Sequence, residues 1–510
     1  MKNAINNTYI GLTFIFIICS LFIYKAFYFP IHDFANYYFS AFFLKGGDFT
    51  SNIYFPHYFN LKIADLDYHN IFVSYAPNTP FLALLFVPFT LCTVTVSKLM
   101  FNILGLILFL YSLKKLFEVY KIKAHYLYII PLVFFIPLKN NFLFGQTYLI
   151  LFFLLSEGFL AYKNERFFKM SLFWGFAILL KVFPIILFGL LLFKKKYKAF
   201  IYLGLSCALL LGASLIANGS EVWEFYFTSV LPKFNNGEIA KEFALNYQSM
   251  FMLLKGIFMS NTLAFSITLL LFKLIIIVIS YFFTRQETSE IKTFSFWIFL
   301  TILLSPYGSS YSNILLLFLF VFYLNHLTFD YKNIVIISLF FLIANIPIHF
   351  FAKFPLPFSF PKLVLSILLF AFLIEKSFKY IRWKLSVCFI SSIVLIAILL
   401  NNWKNQNQDN YPLVESQPIL TYDYTVIDGL LNYIYWNQNG KNTQSTEIRT
   451  KDIDTSQVYL KSNQVFYKNK QLTFNNDNKL KPAVINDTTL IYLSDFKRGI
   501  GFYQLRYISL

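Results

Sequence analysis

A polar, aromatic segment over residues 29–80 carries the side chains best suited to acid–base chemistry. Asp33 directly follows the first long apolar stretch, and tyrosines and phenylalanines follow it, Tyr37 among them. A carboxylate in such a partly desolvated setting can accept a proton from a hydroxyl group. The alternative is structural, because Asp is also a favoured residue at the start of a helix. Weaker candidates for the same base lie farther along the segment: Asp48, Asp65 and Asp67.

A lone cation is the second feature that could do chemistry. Lys181 stands within the apolar run 171–188, three residues before Pro184. A charged side chain among so many apolar residues is costly in a membrane and marks a functional site by default, where its ammonium group can hold a phosphate. The alternative is that Lys181 extends to the interface and keeps its charge in water.

Three short polar clusters, at residues 141–147, 246–249 and 305–311, interrupt the apolar sequence. Each alone is typical of a polar turn between helices, but on one face of a membrane they would line a common pocket. With two tyrosines of the first segment, the predicted pocket residues are Tyr37, Tyr75, Gln146, Asn246, Gln248, Ser305 and Tyr307. Histidines also lie in the first segment: His32, His57 and His69. Their spacing matches no metal site, so the sequence predicts no metal and no cofactor.

The composition places these residues in a polytopic membrane protein. Of 510 residues, 57% are hydrophobic and 13% are charged, and the mean hydropathy is +0.59. Such a chain cannot form a solvated globular surface, and several of its apolar runs are long enough to cross a hydrocarbon core of about 30 Å. Thirteen spans are expected, of which two form a tight hairpin within 170–193. The others are 7–29, 96–113, 125–142, 146–162, 197–217, 262–284, 292–304, 310–325, 332–350, 360–375 and 385–401. Residues 73–91 are expected to form a helix at the outer interface.

Clusters of Lys and Arg orient the spans, since short cytoplasmic loops collect these residues. The basic loops are 114–123, 163–169, 194–198, 285–292 and 376–384. Placing all of them inside puts the N-terminus in the cytoplasm and Asp33 outside. It also makes 170–193 a hairpin with Lys181 at its outer apex. An odd number of spans then leaves the C-terminus outside.

The residues after 402 differ in kind from the membrane part. They are polar, hold 12 Lys and Arg against 10 Asp and Glu, and alternate with period two at 457–461 and 490–493. The sequence predicts a small β-rich exoplasmic domain over 403–510, beside a membrane domain over 1–402. Nearly all of the net charge of +18 therefore belongs to the membrane part, where it indicates anionic lipid and not nucleic acid as the partner.

These motifs in this order resemble glycosyltransferase family 87, membrane enzymes of the GT-C fold that use polyprenyl-phosphate sugars. The resemblance covers about residues 10–330. Its motifs are Asp33-Phe34 with Tyr37-Tyr38, Tyr75-Ala76-Pro77, Gly145-Gln146, Leu180-Lys181-Val182-Phe183-Pro184, Asn246-Tyr247-Gln248-Ser249 and Leu304-Ser305-Pro306. Family members often carry Trp and paired His just after the Ser-Pro pair. Here the corresponding residues are Ser309, Tyr311 and Ser312.

The resemblance implies an all-α GT-C-type bundle in a bacterial plasma membrane. The implied reaction is an inverting transfer of a hexosyl, mannosyl-like group from a polyprenyl-phosphate sugar to an acceptor hydroxyl at the exoplasmic face. Asp33 would be the general base, and Lys181 would bind the donor phosphate. The implied partners are this donor, a lipid or glycan acceptor and membrane lipids, with no nucleic acid. Two alternatives stay open: a transporter or flippase, and a ligase or polymerase, of lipid-linked glycans.

Overall fold

A computed structural model gives a mainly helical protein with a β-sheet region at its C-terminal end. It describes residues 2–31, 33–68, 73–235, 247–258, 262–325, 331–351, 354–374, 421–437, 440–450, 452–461, 464–474, 479–494 and 503–510. The α-helices in these ranges are α1 (Lys2–Tyr28), α2 (Phe34–Gly46), α3 (Pro56–Ala64), α4 (Pro80–Phe86), α5 (Val94–Val119), α6 (Ile130–Val133), α7 (Phe135–Phe144), α8 (Tyr148–Lys163), α9 (Phe167–Leu180), α10 (Leu187–Phe193), α11 (Tyr197–Asn218), α12 (Ser220–Phe225), α13 (Leu231–Asn235), α14 (Met250–Phe258), α15 (Thr262–Gln286), α16 (Glu290–Leu303), α17 (Leu317–Asn325), α18 (Tyr331–Asn345) and α19 (Pro361–Ile374).

Membrane-crossing length is reached by four helices of the described residues, or by five spans if one bent pair is counted as a single span. The four are Asn7–Tyr28, Val94–Val119, Tyr197–Asn218 and Leu263–Gln286. Shorter apolar helices of 10–17 residues occur at most of the other predicted positions. The helical, apolar membrane part is confirmed, whereas the number of thirteen spans stays a prediction. The predicted span 385–401 and the basic loop 376–384 lie outside the described residues.

The bent pair consists of residues 124–133 and α7, which meet at 67°. Pro137 lies in the first turn of α7 and has no N–H to donate to the carbonyl of Val133, four residues earlier. The side-chain amide of Asn345 donates to that carbonyl instead, at 2.7 Å, and its oxygen accepts from the backbone N–H of Ile136 at 3.0 Å. An amide from α18 thus stabilises the break, as broken backbone inside a membrane requires.

The predicted hairpin is present. Helix α9 ends at Leu180, Lys181 is extended, and the chain returns through a 3₁₀ turn over Phe183–Ile186 into α10. The two ends of the segment meet, because the Nζ of Lys196 lies 3.0 Å from a carboxylate oxygen of Glu165. A single straight span would hold these two side chains a membrane apart. Lys181 therefore stands at the apex of a re-entrant pair.

The described residues belong to two compact units. The first comprises Met1–Phe34, Pro88–Ala217 and Phe243–Asn405, and the second comprises Ala35–Val87, Asn218–Glu242 and Gln406–Leu510. Most of the segment expected to be a polar loop is thus itself folded, with α2, α3 and α4 inside it. The expectation of a helix within 73–91 is confirmed in part, as α4 followed by a 3₁₀ turn over Val87–Leu91.

Within the second unit, buried tyrosines fix the turn that precedes α4. Three hydroxyls donate to successive backbone carbonyls: Tyr75 to Thr79 at 2.7 Å, Tyr54 to Asn78 at 2.9 Å, and Tyr226 to Pro77 at 3.2 Å. Asn60 adds a reciprocal pair with the backbone of Val73, and the amide of Asn218 donates to the carbonyl of Pro80. A turn with this many partners presents the Tyr75-Ala76-Pro77 motif in one fixed conformation.

The C-terminal region is built from three antiparallel three-stranded sheets. In chain order the strands are β1 (Thr421–Ile427), β2 (Leu430–Asn437), β3 (Gly440–Arg449), β4 (Val458–Lys461), β5 (Gln464–Tyr467), β6 (Lys470–Gln471), β7 (Lys479–Asn486), β8 (Thr489–Ser494) and β9 (Gln504–Ser509), and each consecutive triplet forms one sheet. The predicted period-two runs are β4 and β8. Strand β8 buries both faces, with Ile491 and Leu493 in one core cluster and Leu490 and Tyr492 in another.

Candidate functional site

Asp33 lies immediately before α2 and is partly buried. Its carboxylate accepts a hydrogen bond from the side-chain amide of Gln146, so two residues predicted to belong to the site are in direct contact. The helix-start position and the proposed role as a base are compatible, because the N-terminus of a helix favours a carboxylate in its charged form. A carboxylate has about four acceptor positions, so it can accept from an amide and from a hydroxyl group together.

A helix C-cap places Gln146 against Asp33. Helix α7 ends with Gly145 in the left-handed conformation, at a φ of +65°. The N–H of Gln146 donates to the carbonyl of Asn141 and that of Gly145 to Phe142, the two bonds of a Schellman motif. A Cβ at position 145 would lie 2.7 Å from the Cβ of Phe34. Gly145 therefore has two roles. It allows the left-handed turn that ends α7, and its lack of a Cβ lets the chain pack against Phe34, next to Asp33.

Lys181 at the hairpin apex interacts electrostatically with Asp33. Its ammonium group lies 5.9 Å from the ring centroid of Tyr148, and that ring stacks on Phe183 at 6.0 Å. Desolvation among these groups lowers the pKa of Lys181 to about 8, an effect that the charge of Asp33 partly opposes. The hairpin thus holds a poorly solvated cation within electrostatic range of the candidate base.

The polar clusters converge, as expected. The hydroxyl of Ser249 donates to the carbonyl of Pro306 at 2.7 Å, and the rings of Tyr247 and Tyr307 lie 5.2 Å apart. Gly308 packs closely on Gln248, because a Cβ at position 308 would lie 2.6 Å from the backbone oxygen of Gln248.

The first cluster joins the other two through neighbouring asparagines. The amide of Asn140 donates to Ser310, and that of Asn141 to the carbonyl of Tyr311. All three segments belong to the first unit, with Asp33 and Lys181.

Two of the predicted pocket residues have hydrogen bonds that stabilise the fold. The amide oxygen of Gln248 accepts from the backbone N–H of Lys362, and its nitrogen donates to the carbonyl of Ser359, which fixes the start of α19. Ser305 both accepts from the N–H of Tyr307 and donates to its carbonyl, which closes a local turn. Their direct contact with substrate stays a prediction.

Two other predicted residues belong to the second unit. Tyr37 and Tyr75 are buried there, where Tyr37 packs on Phe86 and Tyr75 donates to a backbone carbonyl, and their contact with substrate stays a prediction. Asn246 lies outside the described residues, as do His32 and His69. In the part of the chain that the structure describes, no three His, Cys, Asp or Glu side chains are grouped as a metal site would need.

Of the weaker candidates for the base, Asp48 forms an exposed ion pair with Lys62 at 3.3 Å. Asp65 and Asp67 both follow α3, and Asp67 has a φ of +63°.

The sequence reasoning missed two residues that act on Asp33, Lys98 and Tyr148, and it named Tyr247 only within a motif. Lys98 is buried near the start of α5 and interacts electrostatically with Asp33. Tyr148 hydrogen-bonds Ser309 and is also electrostatically coupled to Asp33, as is Tyr247, whose pKa is raised by burial and then by this carboxylate. The signal for Lys98 was present in the sequence, because it is a lone lysine near the start of an apolar span.

Comparison with known proteins gives one match. Residues 76–306 match the family model described as Glycosyltransferase family 87. The matched segment contains Gln146, Lys181, Gln248 and Ser305, and Asp33 precedes it. No curated protein and no solved structure matches the chain.

Proposed function

We propose that the chain is a membrane glycosyltransferase that uses a polyprenyl-phosphate sugar as donor, because residues 76–306 match the model of glycosyltransferase family 87. It transfers a hexosyl, mannosyl-like group to a hydroxyl of a lipid or glycan acceptor. The reaction takes place at the exoplasmic face of a bacterial plasma membrane. The N-terminus is cytoplasmic, and the sheets of 403–510 are exoplasmic.

The observation that carries this proposal is the pairing of a held carboxylate with a nearby cation. Asp33 accepts from Gln146, and Lys181 at the hairpin apex interacts with the same carboxylate. Glycosyl transfer from a lipid phosphate needs both groups, since a proton must leave the acceptor while negative charge develops on the departing phosphate.

In the proposed reaction, the acceptor oxygen attacks the anomeric carbon as Asp33 takes its proton. The new C–O bond forms on the face opposite the bond to phosphate, which breaks and leaves a polyprenyl phosphate. The configuration at the anomeric carbon is therefore inverted. Lys181 stabilises the phosphate as its charge grows, and its partial desolvation strengthens that interaction. Tyr307, close to Tyr247 within the converged clusters, supplies a further pocket hydroxyl.

The test is transfer by the purified protein in lipid nanodiscs. Membrane extract supplies acceptors, and the donor is either a radiolabelled polyprenyl-phosphate mannose or a nucleotide mannose. We expect label in a new lipid or glycan product with the first donor alone, with the anomeric configuration inverted relative to the donor. Movement of labelled lipid between leaflets without a product would contradict the proposal in favour of a flippase. Transfer of a long preassembled glycan would favour a ligase.

A further inference from the structure

Lys98 is a buried cation that the reaction proposed above does not use. It lies in the first turns of α5 and only 2% of its side chain is exposed. Its ammonium group donates to the carbonyl of Pro30 at 2.9 Å and lies 5.7 Å from the ring centroid of Phe29. Burying a lysine is costly, so its partners in the fold must compensate for the lost hydration.

These partners all belong to the turn that joins α1 to α2. Phe29 and Pro30 follow the end of α1, and Asp33 lies three residues beyond Pro30. The neighbouring Ser97 acts in the same way on the chain before α5, with its hydroxyl donating to the carbonyls of Phe89 and Cys92. The beginning of α5 thus fixes two connecting segments, and one of them carries the candidate base.

We infer that Lys98 is a positioning residue for the transfer reaction: its hydrogen bond to the carbonyl of Pro30 fixes the chain just before Asp33. The inference rests on the proposed role of Asp33 as base. A base fixed in this way has less freedom to leave the attacking geometry, and small displacements of catalytic groups are costly in rate.

Several groups act on Asp33 besides Lys98. Gln146 donates a hydrogen bond to it, while Lys181, Tyr148 and Tyr247 are electrostatically coupled to it. Lys181 differs from Lys98 in position, since it stands at the hairpin apex and is half-buried. Loss of Lys181 is therefore expected to change the use of the donor, whereas loss of Lys98 should lower turnover with little change in donor KM.

The experiment separates charge from hydrogen bonding with three variants. Lys98→Gln keeps an N–H donor for Pro30 but removes the charge, Lys98→Arg keeps both, and Lys98→Met removes both. Lys114→Gln is the matched control, because Lys114 lies on the same helix, is about one-third exposed and contacts Tyr9 at the protein surface. Turnover and donor KM are measured against pH for each protein, with thermal unfolding in detergent as the check on folding.

We expect Lys98→Met to lower turnover about tenfold, because the chain before Asp33 loses its donor, while the donor KM changes less than twofold. Lys98→Arg should restore most of the turnover and Lys98→Gln part of it, because each keeps an N–H donor for Pro30. Lys114→Gln should match wild type.

Wild-type turnover in folded Lys98→Met, or a loss in Lys98→Arg as large as that in Lys98→Met, would overturn the inference. If Lys98→Met does not fold, a raised donor KM with unchanged turnover in Lys98→Gln would overturn it instead. The wild-type protein distinguishes failure of the proposed function from failure of the role of Lys98. Absence of transfer by wild type would contradict the proposed function, whereas the variants test only Lys98.

Discussion

Helix α8 has a carboxylate near each end, and the two are held in different ways. Just before the helix begins, Gln146 donates to Asp33. In the second half of the helix, Glu157 is itself 5% exposed and pairs with two lysines, Lys115 at 2.7 Å and Lys169 at 3.5 Å. Asp33 accepts from a neutral amide while Lys98 and Lys181 act on it electrostatically, whereas Glu157 is in direct contact with two ammonium groups.

The difference indicates which carboxylate is suited to accepting and releasing a proton in each catalytic cycle. Both ion pairs of Glu157 depend on its negative charge, so it is suited to joining α8 to α5 and α9. The hydrogen bond from the amide of Gln146 orients Asp33 and can persist when the carboxylate takes up a proton, which suits a group that must accept one in every cycle.

Asp33→Asn gives the largest expected effect. The amide is nearly isosteric but cannot accept the acceptor proton, so turnover should fall on the order of 10²- to 10⁴-fold. Donor binding and thermal unfolding should stay close to wild type. The measurement is initial transfer rate and donor binding in the same nanodisc preparation. Near-normal turnover would move the search for the base to Asp48, Asp65 or Asp67.

Lys181→Met should have the second largest effect, and it should appear in the use of the donor. Loss of a cation beside the departing phosphate should lower kcat/KM for the donor about 10²-fold, with a smaller change for the acceptor. Lys181→Arg should retain part of the activity, since it keeps the charge but spreads it over a planar group.

The pH dependence gives an independent test of the same cation. Desolvation lowers the pKa of Lys181 to about 8, so the group is charged below that pH and neutral above it. Donor kcat/KM in wild type should therefore fall as the pH rises through about 8. In Lys181→Arg the fall should move to higher pH, because a guanidinium stays charged there. An identical alkaline limb in both proteins would contradict a role for Lys181 in binding the donor phosphate and would favour the alternative of an interfacial lysine.

Gly145→Ala tests the local geometry that holds Gln146 against Asp33. A left-handed conformation costs an alanine roughly 1–2 kcal/mol, and the new methyl group would meet Phe34 at 2.7 Å. We expect a lower unfolding temperature and about a tenfold loss of turnover, since the pair would separate. Gly204→Ala in α11 is the control, because a Cβ there meets nothing within 4 Å and the residue is helical. Equal behaviour of the two variants would contradict the role of the cap.

The sequence was sufficient for the features that follow from hydropathy and charge. The break at Lys181 was predicted because a lysine and Pro184 interrupt an apolar run whose flanks are both basic, and the structure has the turn there. The strands β4 and β8 were predicted from alternation. The number of spans was harder to predict, because pieces such as α10 and α17 are too short for length alone to decide.

The site was predictable by residue type but not by contact. Asp33 is predicted from its polar, aromatic segment, Gln146 from a polar cluster and Lys181 as a lone cation in an apolar run. Nothing in the sequence indicates that Gln146 donates to Asp33, since they are 113 positions apart and a helix cap brings them together. Nor did it separate Gln248, whose amide fixes the start of α19, from side chains that are available to a substrate.

Glu157→Gln should have the smallest effect on turnover, and it completes the comparison. The amide keeps the volume of the side chain but not its charge, so both ion pairs are lost. Removing one partner of a fully buried pair costs about 3–5 kcal/mol, yet the side chains of Lys115 and Lys169 are 31% and 46% exposed and can be rehydrated by water. The loss of stability should therefore be on the order of 1 kcal/mol, seen as a modest fall in the unfolding temperature. Turnover per folded molecule should stay within about twofold, because the protein needs this carboxylate for packing and not for proton transfer. A loss of turnover approaching that of Asp33→Asn, in protein with wild-type unfolding, would show that the two ends of α8 do not differ in the way their partners indicate.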